Sequence, residues 1–345
     1  MSSFTVNLGT VFKGSSSGKV VAAKGADRTV QPRDVVIDIT HSGLCYTDIH
    51  YLKKDMVLGH EGVGIVSQVG PQVKSLKKGD RVGWGYNHDS CGTCKFCKKG
   101  RDTNCYGNKM YGNADLDQAS FGDKFVITED FCHIIPQDLE LKHAAPLQCG
   151  GATVFGAMHD AGISPYDRVG VIGIGGLGHL AIQFLNKMGC EVVVFSGSEN
   201  KKEEAIKLGA HEFVAAKVNP SFQGVKPLDY LLVTTSAQPD WKTYLKVLEK
   251  DATIIPLSVD EGDFTFPYMP IIGKQLKIQG SLVATREVHQ KMLQFAARHG
   301  IKPIIEEVPM TEEGINQAVE RLKKGDVRYR FVAVSQTNKV NSANL

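Results

Sequence analysis

Four cysteines, Cys91, Cys94, Cys97 and Cys105, are spaced C-x2-C-x2-C-x7-C in the stretch SCGTCKFCKKGRDTNC. Thiolates at that density are metal ligands. Four sulfurs about 2.3 Å from one ion make a closed tetrahedral zinc site, which stabilises a loop and performs no chemistry. Lys95, Lys98 and Lys99 would offset its negative charge. An iron–sulfur cluster is the chemical rival, but the run lacks the C-x3-C-P ending and its last gap fits neither ferredoxin spacing. A second set is dispersed: Cys45 in GLCYTDIH, His60-Glu61 in VLGHEGVG and Cys149 in APLQCGG. Taken singly, each is more often a packed core residue than a ligand. The glycines around them, Gly59 and Gly62 about the His-Glu pair and Gly150 and Gly151 after the cysteine, mark places where backbone must come close. Two thiolates and one imidazole leave a fourth position open for water or substrate, the catalytic form of zinc site, and Glu61 could fill that position transiently.

A third signal lies in DRVGVIGIGGLGHLAIQFLNKMG, where an apolar run, Val169 to Ile172, leads into Gly173, Gly175, Gly176, Leu177 and Gly178 and then a helix-like segment. This is a G-x-G-x-x-G between a strand and a helix, followed by a second strand, EVVVFSGS, where a βαβ unit requires one. The glycines allow a tight turn and let a pyrophosphate approach the positive end of the helix. NAD-binding folds place an Asp or Glu on the ribose at the end of that second strand. Here the residues are Ser196-Gly197-Ser198-Glu199-Asn200-Lys201-Lys202. With hydroxyls and lysines in place of a carboxylate, the reading is NADP(H), its 2'-phosphate taken by Ser196, Ser198 and Lys201. Lys202 reads equally well as the solvated face of the next helix, and Glu199 is an unfavourable charge nearby.

The elements that must hold these residues follow from composition and pattern. At 345 residues with 42% hydrophobic and 22% charged, the chain is an ordinary globular protein with length for about two domains of ~150 residues. Forty basic against 37 acidic residues leave a net charge of +3 with no long single-sign run, so neither nucleic acid nor an anionic membrane is an expected partner. No window approaches the ~20 apolar residues of a membrane span, and MSSFTVNLGTVFKGSSSGK lacks the apolar core of a secretory signal. The expected location is the cytoplasm, where cysteines stay reduced or bind metal.

Residues 1–154 are read as a β-rich, barrel-like domain carrying both metal sites, built on short runs such as VVIDI, GVGIVSQVG, DRVGWG and FVI. Over 155–288 strands (GVIGI, VVVFS, DYLLVTTS, ATIIPLSV, LKIQGSL) alternate with helical stretches (KKEEAIKLGA, WKTYLKVLEK), which implies a doubly wound parallel sheet of the Rossmann type. Residues 289–345 hold two helical segments, HQKMLQFAARHG and EEGINQAVERLKKG, and a strand, YRFVAV, expected to return to the first domain. The last dozen residues read as frayed.

Taken together, GHEGVGIV, the cysteine run, G-x-C-x-T-D and GxGGLGHLA resemble the zinc-containing alcohol dehydrogenases of the medium-chain dehydrogenase/reductase superfamily. GIGGLGHLAIQF and the serine-and-lysine strand end are most similar to the cinnamyl alcohol dehydrogenase group. The resemblance covers nearly the whole chain and implies a GroES-like barrel catalytic domain beside the α/β nucleotide-binding domain, two zinc ions per chain, a small-molecule alcohol or aldehyde substrate and a homodimer. It makes Cys45, His60 and Cys149 the catalytic zinc ligands, with Glu61 able to enter, and Cys91, Cys94, Cys97 and Cys105 the structural site. It makes Thr47 the hydroxyl that takes the alcohol proton, His50 the histidine that passes it to solvent, Asp48 the carboxylate that steadies a ligand, and Thr153 a neighbour of the nicotinamide.

Four features depart from that pattern. Only 14 residues separate Cys45 from His60, which implies a shortened substrate-channel loop. Tyr46 stands where relatives commonly carry a basic residue or His near the cofactor phosphates. Gly197 falls where NAD-preferring relatives carry their acid, and polar Gln148 precedes Cys149 with no role suggested by its position. The implied reaction is hydride transfer between C4 of the nicotinamide and a carbonyl carbon, with zinc as Lewis acid and protons relayed through Thr47 and His50. A zinc-free quinone or enone reductase of the same superfamily predicts loss of Cys45, His60 and Cys149. A nucleotide-binding protein without activity predicts loss of Thr47 and His50. Tyr51, Trp84 and Met110 are candidate pocket walls, and the strand around Gly280 to Ala284 is a candidate dimer edge.

Overall fold

The computed structural model describes residues 3–259 and 262–338. They divide into two compact units, one formed by the residues up to Ala152 together with those from Thr285 onward, the other by Thr153–Ala284.

The first unit opens on four short strands, β1 Phe4–Asn7, β2 Thr10–Lys13, β3 Val21–Lys24 and β4 Asp27–Val30, earlier than the β pattern of the sequence suggests. Its long strand β5 Asp34–Leu44 runs straight into helix α1 Tyr46–His50. Strands β6 Glu61–Val69 and β7 Arg81–Trp84 follow, antiparallel beside it. Two small strands, β8 Asn87–Asp89 and β9 Lys109–Met110, pair antiparallel and flank the cysteine run. β10 Lys124–Thr128 pairs with β5 and β11 His133–Ile134 with β7. Helix α2 Leu141–Pro146 passes into a π-helical turn, Leu147–Gly151, and then α3 Ala152–Ala161, which from Thr153 onward belongs to the second unit.

The second unit is a six-stranded parallel sheet. Its strands are β12 Arg168–Ile172, β13 Glu191–Ser196, β14 Glu212–Ala215, β15 Leu228–Val233, β16 Leu248–Pro256 and β17 Lys277–Ile278, in the order β14-β13-β12-β15-β16-β17. Counted within the unit that is 3-2-1-4-5-6, the dinucleotide-binding order. All five residues of central β12 are buried, as a strand covered on both faces requires. Between the strands lie α4 Gly178–Met188, α5 Lys202–Leu208, α6 Trp241–Tyr244 and α7 Tyr268–Lys274. The core gathers Phe195, Phe222, Leu231, Trp241 and Tyr244.

The remainder belongs to the first unit: α8 Arg286–His299, β18 Ile305–Pro309, α9 Glu312–Lys323 and β19 Arg330–Val334. β19 pairs antiparallel with β5, closing a seven-stranded sheet of order β11-β7-β6-β5-β19-β18 with β10 also on β5. YRFVAV therefore returns to the first unit.

Three local readings are corrected. WKTYLKVLEK is helical only over Trp241–Tyr244 and a single 3-10 turn, because Leu248 is already extended and belongs to β16. The edge of the parallel sheet on the β16 side is the two-residue β17, and Gly280 to Ala284 lies in no strand; Val283, at φ 45°, breaks any extended run there. The last dozen residues do not all fray: the Ser335 amide donates to the Thr40 carbonyl at 2.9 Å and the Asn338 side chain to the Ile39 carbonyl at 3.1 Å. Residues 339–345 lie outside the described residues.

Candidate active site

The cysteine run folds on itself through two 3-10 turns, Cys97–Lys99 and Asp102–Asn104. Its four sulfurs lie within 4.8 Å of one another, with Cys91 and Cys105 at 3.4 Å and Cys94 and Cys97 at 3.7 Å. Four thiolates around one tetrahedral zinc are about 3.8 Å apart, so the donor set fits that ion. Backbone amides point at the sulfurs: Cys94 at Cys91 Sγ (3.4 Å), Cys91 and Gly107 at Cys105 Sγ (both 3.3 Å). The backbone of Thr93 and Cys94 holds the Cys91 thiol down at about 6, favouring the thiolate, whereas burial pushes Cys105 up to about 11.

The dispersed set converges too. Ligand atoms of Cys45, His60, Glu61 and Cys149 lie within 4.8 Å of one another, Cys45 half-buried and the other three buried. Cys45 sits at the β5–α1 junction, His60 and Glu61 at the entry of β6, and Cys149 within the π-helical turn. Asp48, fully buried, ties two of them: one oxygen accepts from the Cys45 amide at 2.9 Å, and the other accepts from His60 Nδ1 at 2.8 Å. That contact puts the His60 proton on Nδ1 and leaves Nε2 buried with no partner. Glu61 pairs through one oxygen with buried Arg330, while its Oε2 is also buried without a partner. Two buried atoms without partners beside two sulfurs make a donor set that fits a zinc ion.

Electrostatics at this cluster follow from burial and close partners. The Cys149 side chain lowers the Cys45 thiol strongly, against burial and with help from His60. Cys45, then burial, raises Cys149. Burial lifts Glu61 to about 7 although Arg330 opposes it. Burial works against a charged His60, but Asp48 and Cys45 outweigh it and raise the ring's pKa well above the ordinary value. Thr47 and His50 lie three residues apart on α1, hence on one helix face, with Thr47 half-buried and His50 exposed. Tyr46 is 52% exposed, its ring centroid 5.6 Å from that of His50 in an edge-to-face arrangement.

The glycine motif occupies the turn from β12 into α4. Gly173 has φ 92°, which a side chain would strain, and a Cβ on Gly178 would lie 2.1 Å from the Gly173 carbonyl. A Cβ on Gly175 would meet nothing within 4 Å, so that backbone faces open space. Ser196 ends β13, Ser198 precedes the turn Glu199–Lys201, and Lys201 Nζ donates to the Ile174 carbonyl in the glycine loop at 2.9 Å. Lys202 is exposed at the start of α5. Thr153 is half-buried in the first turn of α3.

Sequence reasoning missed Arg330, 269 residues from its partner Glu61. The only signal was an arginine inside an apolar strand, a buried charge that must find an opposite one. It also missed Gly43, whose absent Cβ leaves room for the Glu61 carboxylate: a Cβ there would lie 1.8 Å from Oε2. Trp84 is no pocket wall; it is fully buried, stacked on Phe125 at 4.5 Å, and fills the space beside Gly62. Gln148 does have partners, the Ala144 carbonyl and His289, each at 3.0 Å.

Comparison with known proteins agrees with both units. Residues 31–137 match the alcohol dehydrogenase GroES-like domain family and residues 176–298 the zinc-binding dehydrogenase family. The chain is 39% identical to the protein named "Probable formaldehyde dehydrogenase AdhA" of Bacillus subtilis, over 88% of this chain and 91% of that one. It is 37% identical to NADP-dependent alcohol dehydrogenase C 1 of Mycolicibacterium smegmatis, with the same coverage. A cinnamyl alcohol dehydrogenase structure from Sorghum bicolor superposes with a TM-score of 0.89 at 32% identity, covering 98% of this chain and 100% of that one. No helix among the described residues is long and apolar enough to cross a membrane. The chain therefore belongs to the zinc-type alcohol dehydrogenases of the medium-chain dehydrogenase/reductase superfamily.

Proposed function

We propose that this protein is a zinc-dependent, NADP(H)-dependent alcohol dehydrogenase acting in the aldehyde-to-alcohol direction on aromatic or medium-chain substrates. The observation that carries the reading is the convergence of Cys45, His60, Glu61 and Cys149, with His60 Nε2 buried and unpartnered. Cys45, His60 and Cys149 hold the reactive zinc, and Cys91, Cys94, Cys97 and Cys105 hold a second, so each chain carries two. When bound, zinc supplies Lewis acidity towards a substrate oxygen and the nicotinamide supplies or accepts the hydride.

The protein's own groups do the rest. Asp48 fixes the His60 tautomer and, through the Cys45 amide, the approach of both ligands. Arg330 keeps the Glu61 carboxylate beside Cys45, His60 and Cys149. Thr47 exchanges a proton with the substrate oxygen, and exposed His50, one turn on, passes it to water. The turn of Gly173, Gly175, Gly176, Leu177 and Gly178 receives the pyrophosphate, Thr153 borders the nicotinamide, and Ser196, Ser198 and Lys201 take the 2'-phosphate. Lys201's contact with the glycine loop supports that assignment, because it brings the ammonium to the motif that receives phosphates. In this reading, 1–154 with 289–345 form the catalytic domain and 155–288 the nucleotide domain. The enzyme works in the cytoplasm as a homodimer. An intact ligand set speaks against a zinc-free enone reductase.

The test is absorbance at 340 nm with zinc-quantified protein and a panel of aldehydes, using NADPH and NADH separately. Preference for NADPH that falls about tenfold in Lys201→Ala, the loss of one charge-assisted contact, supports the reading. Equal rates with both cofactors would refute the NADP assignment, and no turnover with two zincs bound would refute the substrate class.

A further inference from the structure

The backbone that carries Cys149 is not an ordinary α-helix. Leu147–Gly151 is a π-helical turn between α2 and α3, and a widened turn has no ordinary helical ladder to hold its side chains in place. Its restraint comes from outside. Gln148, directly before Cys149, is 1% exposed, and both ends of its amide are engaged: Nε2 donates to the Ala144 carbonyl, and Oε1 accepts from His289 Nε2, each at 3.0 Å. Because Oε1 can only accept, the His289 proton is on Nε2. Burial, then the neighbouring His133, holds His289 far below the ordinary histidine value, so the ring is neutral. His133 stacks on it with centroids 3.9 Å apart and is itself pushed down to about 3 by burial and Arg286. The space for the amide is provided by Gly83 of β7, where a Cβ would lie 2.6 Å from Gln148 Cδ.

His289 in turn is anchored to the cysteine lobe. It lies one turn into α8, whose first residue, Arg286, directs its backbone N–H to both oxygens of Asp102 in long hydrogen bonds of 3.4 Å. Asp102 lies between Cys97 and Cys105 and is 3% exposed. A continuous set of contacts therefore runs from the lobe through the start of α8 to Gln148 and the residue beside it, Cys149.

We propose that Gln148 and His289 are positioning residues for Cys149, and that α8, pinned at its start by Asp102, makes the intact cysteine lobe a condition for retaining metal at the buried centre. This rests on the reading of Cys149 as a zinc ligand. Without the amide clamp the π-helical turn has alternative arrangements in which the sulfur leaves the ligand set. Contacts behind a ligand typically change metal affinity by about 10–100-fold.

The experiment is zinc release from the two-zinc protein into excess chelator, followed with a zinc-reporting dye. The phases are assigned with Cys45→Ser, which keeps the lobe metal alone. In Gln148→Leu and His289→Phe, release from the buried centre is expected to speed up by about tenfold or more while the lobe phase stays put. The double variant Gln148→Leu/His289→Phe leaves no polar group unsatisfied and so regains thermal stability lost by either single change, yet its release stays fast. Release from the centre within twofold of the parent in all three variants overturns the proposal, as does release that recovers along with stability. Asp102→Asn is expected to speed release from both sites; acceleration confined to the lobe overturns the coupling through α8. A parent that binds zinc in the lobe but not at the centre overturns the ligand reading itself, a different failure from unchanged release.

Discussion

The two cysteine-bearing clusters are built in opposite ways. The lobe draws every ligand from one short segment, Cys91 to Cys105, stays close to solvent, and lines its sulfurs with amides a few residues away. The other cluster draws Cys45, His60, Glu61 and Cys149 from three separate segments and is largely buried. Two of its supports, Asp48 on α1 and Gln148 in the π-helical turn, neighbour ligands in sequence but reach partners far along the chain, and the third, Arg330, comes from β19. Closing a short loop costs little entropy, so a local site forms almost by itself, whereas the dispersed one exists only once the sheet has formed. That cost accompanies a distinct property: four sulfurs would fill every position of a tetrahedral ion in the lobe, whereas two sulfurs and an imidazole would leave one position open at the dispersed cluster.

The sharpest way to separate the clusters is Cys45→Ser. It should lower turnover by about a thousandfold or more, the several kcal/mol a Lewis acid contributes, while the protein still folds and retains lobe zinc. Full activity in that variant would sink the zinc mechanism. Next in size is Arg330→Met, which removes the group that opposes protonation of buried Glu61, so the carboxyl must either stay charged without its partner or take up a proton, and should cost about 3 kcal/mol in urea unfolding at about pH 8. Adding Glu61→Gln should recover much of the loss; no recovery would mean that Arg330 acts by packing alone. His50→Gln should slow turnover by about a hundredfold with zinc content unchanged, the lower range for a positioned proton carrier. An unaltered pH–rate profile would count against the relay.

The smallest expected effect compares two buried carboxylates. Glu61 lacks a partner for one oxygen and is lifted to about 7, whereas Glu129, a member of neither cluster, accepts from the amides of Lys74 and Ser75, the Ser75 hydroxyl and Arg33. These contacts outweigh burial and hold Glu129 at about 2. A depressed folded value means stability that is fully present above the unfolded value of about 4.3 and is lost as pH falls towards 2. Glu129→Gln should therefore destabilise by about 2 kcal/mol at pH 7, with the gap narrowing as unfolding is measured from pH 5 down to 2.5. A gap independent of pH would show that ionisation of Glu129 contributes nothing.

Much of this was legible before folding. The lobe was readable because its chemistry is a spacing, and the glycine turn because its neighbours in sequence are its neighbours in space. The second unit's alternation was equally clear, since β12 and α4 each bury a continuous apolar face. Short elements were misread where a few residues decide: Leu248 turns extended under pairing with β15, and Val283 at positive φ ends the expected edge strand. Local propensity there is overruled by contacts that no window contains.

What the sequence by itself determined is the donor inventory, the local cysteine lobe, the dinucleotide turn and the class of fold, all of which depend on residue types at short range. Only the tertiary structure decided that Glu61 meets Arg330, that Gly43 must lack a side chain to admit that carboxylate, and that Gln148 clamps the turn beside Cys149 through His289. The reason is physical. Those pairings are selected by the need to satisfy buried charge and amide groups once water has been excluded, and that need arises only after distant segments have packed.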